Sequence, residues 1–380
     1  MKQQKIKRVL HIVSAMNRGG AETLIMNVYR NIDKSKIQFD FVVHHPDQGD
    51  YDEEIIKLGG KIFKIQSLGK LGPIKYIKEL VKILKLHPYI AVHSHTDYQS
   101  GFPAFAAKLA GVQNRICHSH STNWQKGTKI KDKIILKILQ AIIKISATRY
   151  CSCSEEAAKF LFGKHVIENR KYIILNNGIN VIEFIKVNKE SKKKLLQSLN
   201  LSENKIIIGH VGTFSESKNQ FFIIKVLKKL LEKDSRFVAL FVGEGPLKFK
   251  IMSEAENLGI KDNIRFLGVR EDIPELMNAF DIFLFPSKFE GFGIVTIEAQ
   301  SAGTPCVLSQ AVPKSVDMGL GLVSFVDLNR NLEVWCDAVL KNLNIGRPDK
   351  NKIVQQVKSK GFAIQENIQE WLKLYGLSAV

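Results

Sequence analysis

Short apolar runs alternate with stretches of helical spacing along almost the whole chain. Residues 9–14 (Val-Leu-His-Ile-Val-Ser) read as a first buried strand, and Asn17-Arg-Gly-Gly as the turn after it. Residues 23–32 then place Leu24, Ile25, Val28 and Ile32 on one helical face. Further runs at 39–43, 61–65, 90–93, 115–118, 148–152 and 172–175 read as strands of the same half. The pattern restarts near Asn180, with runs at 206–211, 238–242, 264–267, 282–285, 306–308 and 322–326, and a helix from about Asn219. The stretch 185–205, rich in Lys, Asn and Ser, reads as a polar joint, and 365–375 as a last helix carrying Trp371. Strands alternating with helices predict parallel sheets with right-handed crossovers. The doubling predicts two such α/β domains, 1–178 and 179–360, with a tail at 361–380 and a cleft between the halves.

Composition changes this picture in one place. The length of 380 residues and a hydrophobic content of 45% fit two good cores. No apolar stretch reaches the ~18 residues of a membrane span. The formal net charge is +19, and it is uneven. Residues 1–178 hold 29 Lys and Arg against 14 Asp and Glu, hence +15; residues 179–380 hold 27 against 23, hence +4. Within 101–150 nine basic residues face one acid. There Lys126, Lys129, Lys131, Lys133, Lys137 and Lys144 interleave with Ile134, Ile135, Leu136, Ile138, Leu139, Ile142 and Ile143. A basic amphipathic helix of this type suits an anionic membrane surface. The plainer alternative is a core-facing helix with a solvated lysine face. Aromatic interleaving is missing from the stretch, so nucleic acid is not an expected partner. The five cysteines are scattered, and Cys151 and Cys153 are too close for an ordinary disulfide and lack the second pair of a zinc site. Buried thiols in a reducing compartment are expected. Residues 1–8 are basic, but the apolar run behind them is too short for a secretory signal, which points to the cytoplasm.

The stretch richest in chemistry is Phe289-Glu-Gly-Phe-Gly-Ile-Val-Thr-Ile-Glu298, set between the apolar runs 281–286 and 305–308. Glu290 and Glu298 stand eight positions apart, and Gly291, Phe292 and Gly293 open what reads as a helix between them. Free N–H groups at such a turn suit a phosphate. Eight residues of helix span roughly 12 Å, about the reach from a sugar ring to a ribose across a diphosphate. Two other patterns are weaker. Asp50-Tyr-Asp52 has the D-x-D form of a metal motif, but the acids that follow it read as a helix N-terminus, so helix capping is expected. His93 and His95, and again His118 and His120, stand at i, i+2; they are read as pointing to opposite sides of their strands, which argues against a metal pair.

The Glu290–Glu298 segment resembles the E-x7-E motif of retaining glycosyltransferases of family GT4. The resemblance covers roughly residues 8 to 375. It implies the GT-B fold, two Rossmann-like parallel-sheet domains facing a central cleft, with the last helix returning to the N-domain. In that family the first Glu contacts the donor sugar and the second the ribose, so Glu290 and Glu298 take those roles. Gly19 and Gly20 match a Gly-Gly loop that faces the donor diphosphate. His120, with His118 as the fallback, matches a histidine near the donor sugar. Gly209-His-Val-Gly-Thr-Phe-Ser-Glu-Ser-Lys218 resembles the G-R-x(4)-K segment that grips the diphosphate; Lys218 matches its Lys, while Thr213 replaces its Arg. Backbone groups at Val269 and Arg270 match those that read the nucleobase. Asn180 replaces an Asp at the domain junction, and Ser315 stands where many members have Glu.

The resemblance thus implies a retaining transferase that moves a sugar from a nucleotide diphosphate sugar, a UDP-sugar by preference, to a glycan or polyprenyl-linked acceptor of capsule or exopolysaccharide. No metal and no other cofactor are expected, because a GT-B enzyme can hold the leaving diphosphate with Lys218 and backbone N–H groups. The expected place is the cytoplasm, peripheral on the inner face of the plasma membrane. The rival readings are a GT-B relative with other chemistry, such as an epimerase or a soluble disaccharide synthase, and an inactive basic membrane- or nucleic-acid-binding protein.

Overall fold

A computed structural model describes residues 6–121, 130–168, 172–187 and 189–377. The chain divides into two compact units: Met1–Gly178 together with Ile364–Val380, and Ile179–Ala363.

The first unit is built on seven strands: β1 (Lys7–Ile12), β2 (Ile37–Val43), β3 (Ile62–Lys64), β4 (Tyr89–Ser94), β5 (Asn114–Ser119), β6 (Arg149–Ser152) and β7 (Tyr172–Ile174). Their order is β3-β2-β1-β4-β5-β6-β7, and every pairing is parallel. The sheet is covered on both faces, so β2 is buried at all seven positions, and its two polar residues are paired there, Gln38 with the Tyr29 hydroxyl and Asp40 with Arg8. One cover is the helix Ile364–Leu374, which buries Ile364, Ile368, Trp371 and Leu374 against Phe39, Phe41 and Leu24.

The second unit repeats the plan with six strands: β8 (Ile206–Val211), β9 (Phe237–Val242), β10 (Ile264–Phe266), β11 (Ile282–Phe285), β12 (Cys306–Ser309) and β13 (Val323–Val326). Their order is β10-β9-β8-β11-β12-β13, again parallel. In each sheet the order reverses beside the first strand, between β1 and β4 and between β8 and β11. Loops leaving the carboxyl ends there diverge and open a crevice, the usual ligand position in open α/β sheets.

The stretch 185–205 is not a joint. It contributes the helices Val181–Lys186 and Lys189–Ser198 to the second unit. Leu196 is buried in that unit's core with Phe184, Leu195 and Leu199 pack on it, and Lys192 Nζ binds Asp281 at 2.6 Å. Its polar composition reflects a solvated outer face, with enough leucine left to anchor the inner one. The five cysteines are free and buried.

The helix Ile130–Ser146 shows both of its apolar stripes. Ile143 is buried, and the helix lies so close to Gly101 that a Cβ there would come within 2.8 Å of Ile142 and Ile143. Ile130, Ile134, Ile135 and Ile138 are instead exposed, at 47–79%. Ile130, Ile134, Ile138 and Ala141 line a shallow apolar groove that Lys133 and Lys137 flank. The isoleucines are therefore not all spent on the core, against the plainer alternative above. Lys126 and Lys129 lie outside the described residues. Among the described residues no helix is long and apolar enough to cross a membrane.

Candidate active site

In the second unit the chemistry gathers at the strand-order reversal. The loop after β8 carries Lys218, and the loop after β11 carries Glu290. Lys218 Nζ donates to Glu290 Oε1 at 2.6 Å and lies 5.1 Å from the centre of the Phe285 ring. Glu290's side chain is only 7% exposed and that of Lys218 23%. Two further bonds tie the loops together: Lys288 N–H donates to Ser217 O at 2.7 Å, and Asn219 Nδ2 to Pro286 O at 3.1 Å. Asn219 is left-handed (φ +57°), which its short polar side chain tolerates, and it turns the chain into the helix Gln220–Leu231.

The floor beneath Lys218 is rigid. His210 on β8 is buried, and its Nδ1–H donates to Leu284 O at 3.0 Å. Burial holds this imidazole down at about 4, so it stays neutral under the lysine. Gln220 Nε2 reaches both His210 Nε2 and Thr213 O, at 3.3 and 2.9 Å. Thr213 itself is exposed. Gly243 is needed here, since a Cβ on it would sit 2.3 Å from Gly212 O. Val269 is exposed, and Arg270 pairs with Asp272 at 2.5 Å.

The interval between the two glutamates differs from expectation. The helix is Val295–Ser301, so Glu290 to Ile294 is loop and only Glu298's own turn is helical. Gly293 has φ +88°, outside the right-handed region, and it breaks the spacing that eight helical residues would give. Thr296 fastens the helix start by donating Oγ1–H to Gly293 O at 2.7 Å. Phe292 is buried against Phe362, and Glu298 is half-buried with its carboxyl pushed up to about 7 by desolvation.

That carboxyl gives a prediction with a definite sign. A folded-state value of about 7 against an ordinary 4.5 means that the folded chain binds more protons between those pH values. Folding stability therefore falls as pH rises from 4.5 to 7, and the penalty is complete above 7. Glu298→Gln should raise folding stability at pH 8 by on the order of 2 kcal/mol, read as a higher melting temperature, and leave both unchanged at pH 4. Equal gains at both pH values would show that the carboxyl is not desolvated.

In the first unit, Gly19 and Gly20 open the helix Gly20–Asn31 directly after β1. A Cβ on Gly19 would stand 2.3 Å from Glu22 Oε2, while one on Gly20 would meet open space. Burial pushes the Glu22 carboxyl up to about 7. The loop is tied down by Asp50, whose Oδ2 accepts the Arg18 N–H at 3.0 Å. The helix N-terminus expected here is present, with Asp52, Glu53 and Glu54 in its first turn, but neither Asp50 nor Asp52 is its cap. The helix Asp52–Lys57 has Tyr51 at its N-cap with no side-chain cap, and Asp52 sits within its first turn.

The histidines are a second correction. Alternate residues of a strand share a face. His93 and His95 accordingly lie with ring centres 4.1 Å apart, and His118 and His120 with theirs 4.0 Å apart. With His11 they form one group across β1, β4 and β5, roofed by Trp371 and Tyr375. The divergence that argued against a metal does not exist: His11, His93 and His95 offer ligand atoms within 4.8 Å of one another, as do His93, His118 and Cys151, and His95, His118 and His120. What the geometry shows instead is ring nitrogens facing each other, His11 Nδ1 to His95 Nε2 at 3.1 Å and His93 Nε2 to His118 Nδ1 at 3.2 Å. These contacts are at hydrogen-bond distance, and burial pushes the Cys151 thiol well above its ordinary value. Asp97, which sequence reasoning passed over, fixes the end of β5. Its Oδ1 accepts the His120 N–H at 2.7 Å and its Oδ2 the Ser121 hydroxyl at 2.9 Å, from a left-handed backbone at φ +47°. Only its place two residues after His95 could have drawn attention to it.

Two family models match the chain. The one described as glycosyl transferases group 1 matches residues 191–318, and the one described as glycosyltransferase family 4 matches 18–183. A Bacillus subtilis protein named as the glycosyltransferase EpsF is 40% identical over 98% of this chain and 97% of its own length. The chain belongs to the group 1 and family 4 glycosyltransferases. The Staphylococcus aureus capsular polysaccharide biosynthesis glycosyltransferase CapH is 28% identical over 97% of this chain and 98% of its own. An Escherichia coli UDP-Gal:alpha-D-GlcNAc-diphosphoundecaprenol alpha-1,3-galactosyltransferase is 26% identical over 82% and 81% of the two chains. Anabaena HepE, solved with UDP-glucose, superposes on this glycosyltransferase with a TM-score of 0.79 over 97% of this chain and 99% of its own, at 18% identity. The likeness extends to WaaG, at a TM-score of 0.68 over 97% of each chain, so the fold is GT-B.

Proposed function

We propose that this glycosyltransferase is a retaining enzyme that moves a sugar from a UDP-sugar to a polyprenyl-linked or glycan acceptor of a surface polysaccharide. The observation that carries the reading is the Lys218–Glu290 pair at the strand-order reversal of the second unit, with Glu298 one loop and one helical turn away. Lys218 is the cation for the leaving diphosphate, and Glu290 is the carboxylate at the donor sugar. Their 2.6 Å ion pair holds both in place before the donor arrives. Glu298 accepts from the ribose hydroxyls, and the backbone of Val269 and Arg270 reads the base. From the first unit, His120 contacts the donor sugar and Gly19 and Gly20 the diphosphate. Support for UDP comes from HepE, and support for a lipid-linked acceptor from the E. coli relative.

Catalysis rests on charge stabilisation of the leaving diphosphate and of an oxocarbenium-like sugar. No metal takes part in this scheme. Thr213, in place of a second cation, leaves Lys218 as the principal one. The exposed Ile130, Ile134 and Ile138 with Lys133 and Lys137 form the face that meets an anionic lipid surface, where the acceptor's lipid is held.

The test is a panel of UDP-, GDP- and ADP-sugars, titrated and incubated with the protein in EDTA. The expected result is tight UDP binding, and slow donor hydrolysis that releases the sugar with its anomeric configuration kept. Preference for another nucleotide would overturn the donor assignment. Activity that vanishes in EDTA and returns with Mn²⁺ or Mg²⁺ would overturn the metal-free scheme.

A further inference from the structure

The histidine group has a property that its donor and acceptor arithmetic exposes. His95 uses both ring nitrogens: Nε2 faces His11 Nδ1 at 3.1 Å, and Nδ1 faces His120 Nε2 at 3.0 Å. His11 and His95 are buried and His120 half-buried. Burial depresses all three, His11 to about 3, so the rings are neutral and each carries one N–H. Three such rings in a row can order their protons in only two ways. In the outward order, His11 Nδ1–H donates to His95 Nε2, His95 Nδ1–H donates to His120 Nε2, and the last proton sits on His120 Nδ1. In the inward order every bond reverses, His120 Nδ1 is bare, and the last proton sits on His11 Nε2.

The inner end decides between them. His11 Nε2 is buried with no partner among the described residues. The inward order would leave an unpaired N–H there, and an orphaned buried donor is the rarer and costlier defect than an under-used acceptor. The neighbouring Trp371 supplies a second reason. Its indole N–H is also buried and unpartnered, its ring lies 5.9 Å from that of His11, and it can only donate. A bare His11 Nε2 is the complement of that donor; a second N–H is not.

We infer that the chain is ordered outward, so that His120 presents a fixed Nδ1–H and His11 and His95 act as positioning residues that set this tautomer. This rests on the reading that His120 contacts the donor. It deepens it by naming the ligand atom: His120 donates to an oxygen lone pair of the donor sugar or its phosphate, and does not act as a base towards it. The chain also opposes protonation of His120, since an imidazolium there would set its Nε2–H against the His95 Nδ1–H. The other groups facing His120 are the Asp97 carboxylate, which favours the charged form, and the stacked His118 ring, which is neutral.

The test is long-range proton–nitrogen correlation NMR of the full chain labelled at histidine nitrogen. Signals from His11, His95 and His120 are assigned by loss in single variants. Expected at neutral pH are three neutral rings protonated on Nδ1. An Nε2–H tautomer at His120 would overturn the proposal, as would a stoichiometric metal ion holding these nitrogens in the purified protein. His95→Phe keeps a ring in place but removes the opposing N–H, so the His120 titration midpoint should rise by about one pH unit or more; an unmoved midpoint would overturn the positioning role. Activity gives an independent arm, since an Asn amide places its N–H near imidazole Nδ1 and a Gln amide near Nε2. His120→Asn should keep transfer within about tenfold of wild type, and His120→Gln should lose about 100-fold. The reverse ranking would overturn the proposal. If both variants transfer at the wild-type rate, it is the donor-contact reading that fails, and the NMR result alone decides the proton order.

Discussion

Lys218→Ala is expected to lower kcat by about 100- to 1000-fold, the size seen when a preorganised charge at a developing oxyanion is removed. Glu290→Ala should fall in the same range. The two losses should not add. Lys218 and Glu290 hold each other at 2.6 Å in a site where Glu290 is 7% exposed, so removing either one frees the other to leave its catalytic position. The double variant should therefore sit within about tenfold of the worse single one. The variants differ in binding. UDP affinity should drop in Lys218→Ala, where a charge-assisted bond to phosphate is lost, and hold or improve in Glu290→Ala, where a negative charge near the diphosphate is removed. Steady-state transfer and UDP calorimetry on the three proteins read this. Fully multiplicative losses would mean that the pair is not a unit.

Replacing Lys131, Lys133, Lys137 and Lys144 with Gln should release the protein from vesicles rich in anionic lipid. Each lysine near such a surface is worth about 1 kcal/mol, so four together amount to roughly a thousandfold in partition. High salt should release wild type similarly, because the charges are exposed. Restoring binding with salt present would need the isoleucines: Ile134→Ser with Ile138→Ser should weaken what remains, since both side chains are 55% exposed and contribute little to the fold. UDP binding should be untouched by either set. Vesicle co-sedimentation at low and high salt is the measurement, and a wild-type protein that ignores anionic lipid at low salt would leave the lysine face merely solvated.

Strand positions were legible because a parallel sheet covered on both faces demands continuous apolar runs, and 206–211 and 282–285 announce β8 and β11 to the residue. The stretch 185–205 was misread because composition there reports the wet side of two helices, while Leu195, Leu196 and Leu199 report the dry side. The glutamate spacing was legible as a pair and misread as geometry, since a single positive φ at Gly293 unwinds half of the interval. The Lys218–Glu290 ion pair could not be read from a separation of 72 residues; it follows from two loops leaving neighbouring strands at the order reversal. The histidines were misjudged by a parity error. A two-residue repeat keeps a strand side chain on the same face, and a correct count would have placed His93, His95, His118 and His120 together.

The excursion of the chain into the second unit and back has a consequence for synthesis. Residues 179–363 form one uninterrupted unit, whereas the first unit needs Ile364–Leu374, whose Trp371 is fully buried against Phe39 and His11. During translation the later-made half can close as soon as its last strand and helices emerge. The earlier-made half must wait with an uncovered sheet face until Ile364–Leu374 is made. A nonsense or frameshift lesion between Ala363 and Trp371 would therefore damage the amino-terminal unit and spare residues 179–363, and a holdase that shields nascent β1 and β2 would be needed longest for the segment that left the ribosome first.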